Sequence, residues 1–217
     1  MIKRLRQQER LRRQEGLCSQ EESHLRGQSG NLSEERNVAF LNPDLPDVSA
    51  CLKVSSRLEE LAVVQQWFQG LLAEFSQRLS TPSCWVGKPF DQINLALAEG
   101  FTNAVRHAHA DLPSTTPVLI ECWVGVQKVE INIFDRGEPF DPDSLAEPKP
   151  GTLREGGYGW FLLRRLVDQV THDRAHPEAL VERVLRADSI RPSSPYAAPD
   201  DADLNQVRNC LKLVKLA

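Results

Sequence analysis

The chain has 217 residues, 41% of them hydrophobic and 26% charged, with a formal net charge of −4. That composition belongs to a globular domain with tails. The negative balance argues against nucleic acid as the main partner, and no apolar run approaches the length that spans a bilayer.

The opening MIKRLRQQERLRRQEG lacks the apolar core of a secretory signal, so the sequence predicts a cytoplasmic protein. Its five cysteines are scattered with no CxxC pair, which indicates neither a zinc site nor a disulfide framework. Residues 1–47 read as a disordered tail. Met1–Glu15 carries six Lys/Arg against two Glu, and the polar stretch after it has no sustained period. Such a segment buries too little apolar surface to offset its ordering entropy. The domain is expected over 48–217.

Ala50–Ser55 alternates as a strand. Arg57–Leu79 predicts a helix, with Leu58, Leu61, Val64, Trp67, Phe68, Leu71, Leu72 and Phe75 on one face. Ser55 or Ser56 suits its cap. Asp91–His109 reads as a second helix with Asp91 as N-cap. Its apolar stripe is interrupted by Glu99 and Asn103, four apart and therefore on one face. Val118–Val126 and Val129–Asp135 predict a hairpin around Gly125–Lys128, with one face buried. Glu138–Glu155 is loop-like, with prolines at 139, 142, 148 and 150. Gly156-Gly157-Tyr158-Gly159 opens a further helix, Trp160–Val170. A strand begins near Val170, the stretch 175–206 is a flexible insert, and Val207–Leu216 closes the chain as a strand. The predicted fold is α/β, a two-layer α+β arrangement with helices on one face of a mixed, mostly antiparallel sheet.

Three motifs carry chemistry. A carboxylate and a carboxamide stacked on a helix suit a magnesium–phosphate site, because an amide oxygen ligates a hard cation without adding charge. The neighbouring carboxylate can hold water or take a proton. Asp135-x-Gly137 at a strand end offers an acceptor for an exocyclic amine and room for a flat ring. Taken alone it reads better as an ordinary turn after a strand. Gly156-Gly157-x-Gly159 at a helix start presents backbone N–H groups to an anion, or serves as a hinge. It is neither a P-loop nor a dinucleotide fingerprint.

The order of these motifs resembles the Bergerat-type ATP-binding fold. Within it the chain is similar to the anti-sigma factor serine/threonine kinases of the RsbW and SpoIIAB type. The phrases that carry the resemblance are ALAEGFTNAVRHAH (96–109), FDRGEPFDPDSL (134–145), LREGGYGWFLLRRLVDQV (153–170) and NCLKLVK (209–215). The resemblance implies ATP and Mg²⁺ as cofactors. It implies Glu99 as the general base, Asn103 as the Mg²⁺ ligand, and Asp135 with Gly137 at the adenine. Gly156, Gly157 and Gly159 would hold phosphates, with Arg154 as a further contact from the lid. Arg106 would contact phosphate or face water, with water favoured; His107 and His109 are expected to pack or lie at the surface, and Trp123 and Trp160 to sit in the core.

The implied partners are a STAS-domain anti-anti-sigma protein, phosphorylated on a serine, and a sigma factor or similar regulator. A homodimer is typical of that family; neither nucleic acid nor membrane is implied. A second reading is a catalytically inactive, ATP-gated binding module, which a missing Glu99 would favour. The insert 175–206 and the tail depart from the family pattern and bear on partner choice.

Overall fold

The computed structural model describes residues 48–79, 83–142, 158–177 and 200–217. The strands are β1 (Val48–Ser55), β2 (Pro117–Val124), β3 (Lys128–Asp135), β4 (Gln169–Arg174) and β5 (Asn209–Leu216). They form one sheet in the order β1-β2-β3-β5-β4, with every neighbouring pair antiparallel. The helices are α1 (Leu61–Arg78), α2 (Lys88–Asn103), α3 (Gly159–Leu166) and the short α4 (Asp201–Leu204). No described helix is long and apolar enough to cross a membrane.

The core lies between the sheet and α1, α2 and α3. Its strand residues share one parity: Leu52 and Val54, Ile120 and Cys122, Ile131 and Ile133, Leu211 and Leu213. They are in register, Leu52 opposite Ile120, Ile120 opposite Ile133 and Ile133 opposite Leu211. Onto this face α1 lays Val64, Trp67, Phe68, Leu71, Leu72 and Phe75, and α2 lays Ile93, Ala96, Leu97 and Phe101. These are the three-and-four spacings of an amphipathic helix, each large side chain contributing about 1.5–3 kcal/mol on burial. Helix α2 packs tightly on the sheet at Gly100, where a Cβ would stand 2.6 Å from Ile133 Cδ1.

Several expectations are corrected. Helix α2 begins at Lys88 after Gly87, whose φ is +60°, with Pro89 in its first turn. Asp91 is therefore inside that turn, where its charge favours the helix dipole, and not the cap. The segment closes with a π-helical turn, Ala104–Ala108, in place of a continued α-helix. Neither serine caps α1: Ser55 Oγ donates to Glu60 Oε1 at 2.7 Å, while Ser56 is engaged elsewhere. Helix α3 stops at Leu166, and the strand after it starts at Gln169.

The β2–β3 hairpin buries both faces, not one. On the side away from the core, Glu121, Glu130 and Asn132 are all buried. Asn132 Nδ2 donates to Glu121 Oε2 at 3.0 Å and to Glu130 Oε1 at 3.3 Å, and Lys212 Nζ lies 3.0 Å from Glu130 Oε1. Polar side chains are tolerated there because they satisfy one another. Burial pushes the Glu130 carboxyl up, but the bonds from Lys212, Asn132 and Lys128 outweigh it and hold the pKa at about 2. Trp123 lies on this same side, half-buried, with Nε1 directed at Glu121 Oε1, so it is not part of the main core.

The stretch 189–203 at the end of the insert reads from the sequence as unfolded, and the structure orders its last residues. They belong to α4, and Asp203 is buried against Lys53 of β1 and Arg136 beyond β3. Residues 178–199 and the tail over 1–47 lie outside the described residues.

Candidate functional site

Above the carboxyl-terminal end of β3 opens a cleft of about 1400 Å³. Glu99, Asn103, Asp135, Gly137 and Gly159 all line it. Three separate segments therefore deliver the motif residues to one cavity. Arg154, Gly156 and Gly157 lie outside the described residues.

Glu99 and Asn103 stand on the last turns of α2. Gly159, the first residue of α3, faces them so closely that a Cβ there would be 2.2 Å from Glu99 Oε1. The same Cβ would be 3.3 Å from Asn103 Oδ1. This contact is possible only because residue 159 has no side chain. The unpartnered N–H groups of a helix's first turn make its start an anion-attracting feature. Here that start meets a carboxylate and a carboxamide.

Asp135 ends β3 and is buried. Its Oδ1 accepts two hydrogen bonds, from the Gly137 N–H at 2.9 Å and from Asn209 Nδ2 at 2.8 Å. Among the described residues neither bond is made to Oδ2. Asn209 also donates to the Gly137 carbonyl at 3.1 Å, so one carboxamide ties both ends of the Asp-x-Gly turn. Gly137 lies against the π-helical turn, where a Cβ would come 2.6 Å from the Ala108 carbonyl oxygen. A backbone atom cannot step aside as a side chain does, so the close approach requires glycine.

The middle residue of the turn, Arg136, is held at three places. Its N–H donates to His109 Nε2 at 2.9 Å, and its guanidinium reaches Gln206 Oε1 at 2.5 Å and Asp203 Oδ1 at 3.2 Å. The Arg208 N–H donates to the Asp135 carbonyl at 2.8 Å. Burial pulls the pKa of His109 down; Asp135 nearby raises it, and Arg136 adds to the lowering.

Asn209 and Arg136 line the cleft and His109 packs beneath its Asp-x-Gly turn; the sequence alone assigns none of the three to the site. Asn209 reads from the sequence only as a residue within the closing strand, Val207–Leu216. His109 read as packing or surface; it is buried and bonded at both ring nitrogens, while His107 is exposed. Arg106 is exposed and lines the cleft. Trp160 is partly buried against the core, borders the cleft and carries Arg164 over its ring at 5.3 Å.

The model of the histidine kinase-like ATPase domain matches residues 54–184. The serine-protein kinase RsbW of Oceanobacillus iheyensis is 36% identical over 88 residues, which is 37% of this chain and 55% of that protein. The RsbW protein of Staphylococcus aureus strain MRSA252 is 34% identical over 97 residues, 39% of this chain and 60% of that one. The matched stretch thus spans little more than half the length of these curated relatives. The chain belongs to the histidine kinase-like ATPase domain family.

Proposed function

We propose that this chain is an ATP-dependent protein serine kinase with anti-sigma regulatory activity, carried by a domain over 48–217. The observation that carries the reading is the meeting of Gly159 with Glu99 and Asn103 in a cleft that also holds Asp135.

The residues fit a magnesium-bound adenine nucleotide. Asp135 has Oδ1 engaged within the protein, which leaves Oδ2 as the acceptor for the adenine amine. Gly137 gives the ring access to the backbone. Asn103 offers its amide oxygen to Mg²⁺. The backbone at Gly159 offers N–H groups to phosphate, and the resemblance assigns Gly156, Gly157 and Arg154 to the same phosphates. When bound, ATP supplies the phosphoryl group and Mg²⁺ neutralises its charge. Glu99 orients the serine hydroxyl of the protein substrate and takes its proton as general base. The substrate is a serine of a STAS-domain anti-anti-sigma protein, and the second partner is a sigma factor or similar regulator. The reading places the protein in the cytoplasm, as a possible homodimer, with neither nucleic acid nor membrane as a direct partner.

The test is a titration of the purified full chain with ATP and ADP, with and without Mg²⁺, followed by transfer from radiolabelled ATP to STAS proteins of the same genome. Magnesium-dependent binding with label on a serine is the expected result. Binding without transfer would favour the ATP-gated module. No binding would sink the site.

A further inference from the structure

The π-helical turn at the end of α2 has a specific geometric result. The His109 N–H bonds back to Ala104 O at 2.9 Å, five residues earlier, and the widened turn leaves the imidazole 3% exposed beneath the Asp-x-Gly loop. Its Nε2 accepts the Arg136 N–H at 2.9 Å. An accepting Nε2 puts the ring proton on Nδ1, and Nδ1 then donates to Ser56 Oγ at 3.0 Å, just past the end of β1. Two successive N–H groups of the loop are thereby claimed, that of Arg136 by His109 and that of Gly137 by Asp135.

We infer that His109 is a positioning residue for the Asp135–Gly137 turn, and that it performs this role only as the neutral imidazole. The inference rests on the reading of that turn as the adenine site. A protonated ring would present Nε2–H to the Arg136 N–H, donor against donor, and leave that half-buried N–H without an acceptor. The charged groups facing the ring are Asp135, which favours protonation, and Arg136, which opposes it. Behind Arg136, Asp203 is paired with both Arg136 and Lys53. Burial outweighs Asp135, and the ring's pKa lies below the ordinary 6.5. Nucleotide affinity therefore falls as pH drops through that lowered value, by at most about tenfold per pH unit for one coupled proton.

The experiment is calorimetric titration of the full chain with ADP at about pH 8 and about pH 5, in wild type, His109→Gln and His109→Leu. The Gln carboxamide oxygen replaces the Nε2 acceptor and does not titrate. Ionisation of the ADP phosphate is common to all three proteins and cancels in the comparison. Wild type and His109→Gln are expected to bind alike at the higher pH, and wild type to lose more affinity at the lower. His109→Leu, lacking an acceptor, is expected to bind more weakly at both. If the Leu variant does not fold, the contrast between wild type and Gln decides. Parallel pH profiles for those two would overturn the inference while leaving the nucleotide site standing. Failure of wild type to bind ADP at either pH would overturn the nucleotide reading and this inference with it.

Discussion

Asn209 and Asp135 face each other across β5 and β3, and the Asn209 carboxamide donates to Asp135 Oδ1 at 2.8 Å. Their separation in sequence is 74 residues. The same carboxamide holds the Gly137 carbonyl, so it fixes the carboxylate and the far side of its turn together. Asn209→Ala should leave the buried Gly137 carbonyl without that partner and Asp135 with one donor. Loss of a buried partner costs about 1–3 kcal/mol. Urea unfolding should report a loss of that order, and ADP affinity should fall with it. Unchanged affinity in a folded variant would show that the turn holds its shape without β5.

Glu99→Gln keeps the size of the side chain and removes its basicity. Transfer should drop by about 10²–10⁴, the usual worth of a positioned base. ADP affinity should stay close to that of wild type, because no adenine-site residue changes. A quench-flow or radiolabel assay beside calorimetry separates the two. Wild-type transfer by this variant would remove Glu99 from the chemistry.

The two glycines of the cleft should respond differently to alanine. At 137 the new Cβ meets the Ala108 carbonyl oxygen at 2.6 Å, and backbone must move. A thermal melt should show destabilisation of about 1–3 kcal/mol, as for an overpacked site. At 159 the Cβ meets Glu99 Oε1, the free end of a flexible side chain. That carboxylate swings away at small cost, so the fold should survive with transfer impaired. Equal melting losses in both variants would contradict the distinction.

The polar cluster behind the sheet gives a pH dependence. Glu130 titrates at about 2 in the folded chain against an ordinary 4.5. A carboxylate with a depressed folded pKa contributes stability above its unfolded value and loses it as pH falls. Stability should therefore decline as pH drops from about 4.5 towards 2, followed by urea titration across that range. Lys212→Met removes the strongest of the contacts that hold the carboxylate ionised, and should shrink the decline. An identical acid profile in that variant would assign the acid sensitivity to other carboxylates.

The elements that the sequence disclosed were those with a period. The stripe Ile93, Ala96, Leu97, Phe101 predicts α2, and alternation predicts β2, β3 and β5. Glu99 and Asn103 stood out because they break that stripe. Asn209, His109 and Ser56 carried no such signal, since each acquires its role only when distant segments meet. The burial of Glu121, Glu130 and Asn132 was hidden for a related reason. Alternation identifies a polar face, and it cannot tell mutual satisfaction from solvation. The π-helical turn spans five residues at the end of the segment, too short a stretch for its wider spacing to register as a period. The end of the insert reads as unfolded from its prolines and aspartates, yet Asp203 finds two cations supplied by β1 and by the Asp-x-Gly turn.

The strand order β1-β2-β3-β5-β4 also imposes a sequence of events on biosynthesis. β5 is translated after every other strand, yet it lies between β3 and β4. A ribosome that has extruded residues up to the insert presents a three-stranded sheet, β1-β2-β3, and a β4 whose partner among the described strands is not yet made. The Asp135 carboxylate at that moment lacks its partner at 209. Long-range pairing of this kind is slow to form, because a large loop must close before any contact rewards it. Competence to hold nucleotide should then be the last property a newborn chain acquires. In refolding experiments, burial of Trp67 should precede the appearance of ADP binding; simultaneous recovery would mean that β5 docks as early as the β1-β2-β3 sheet forms.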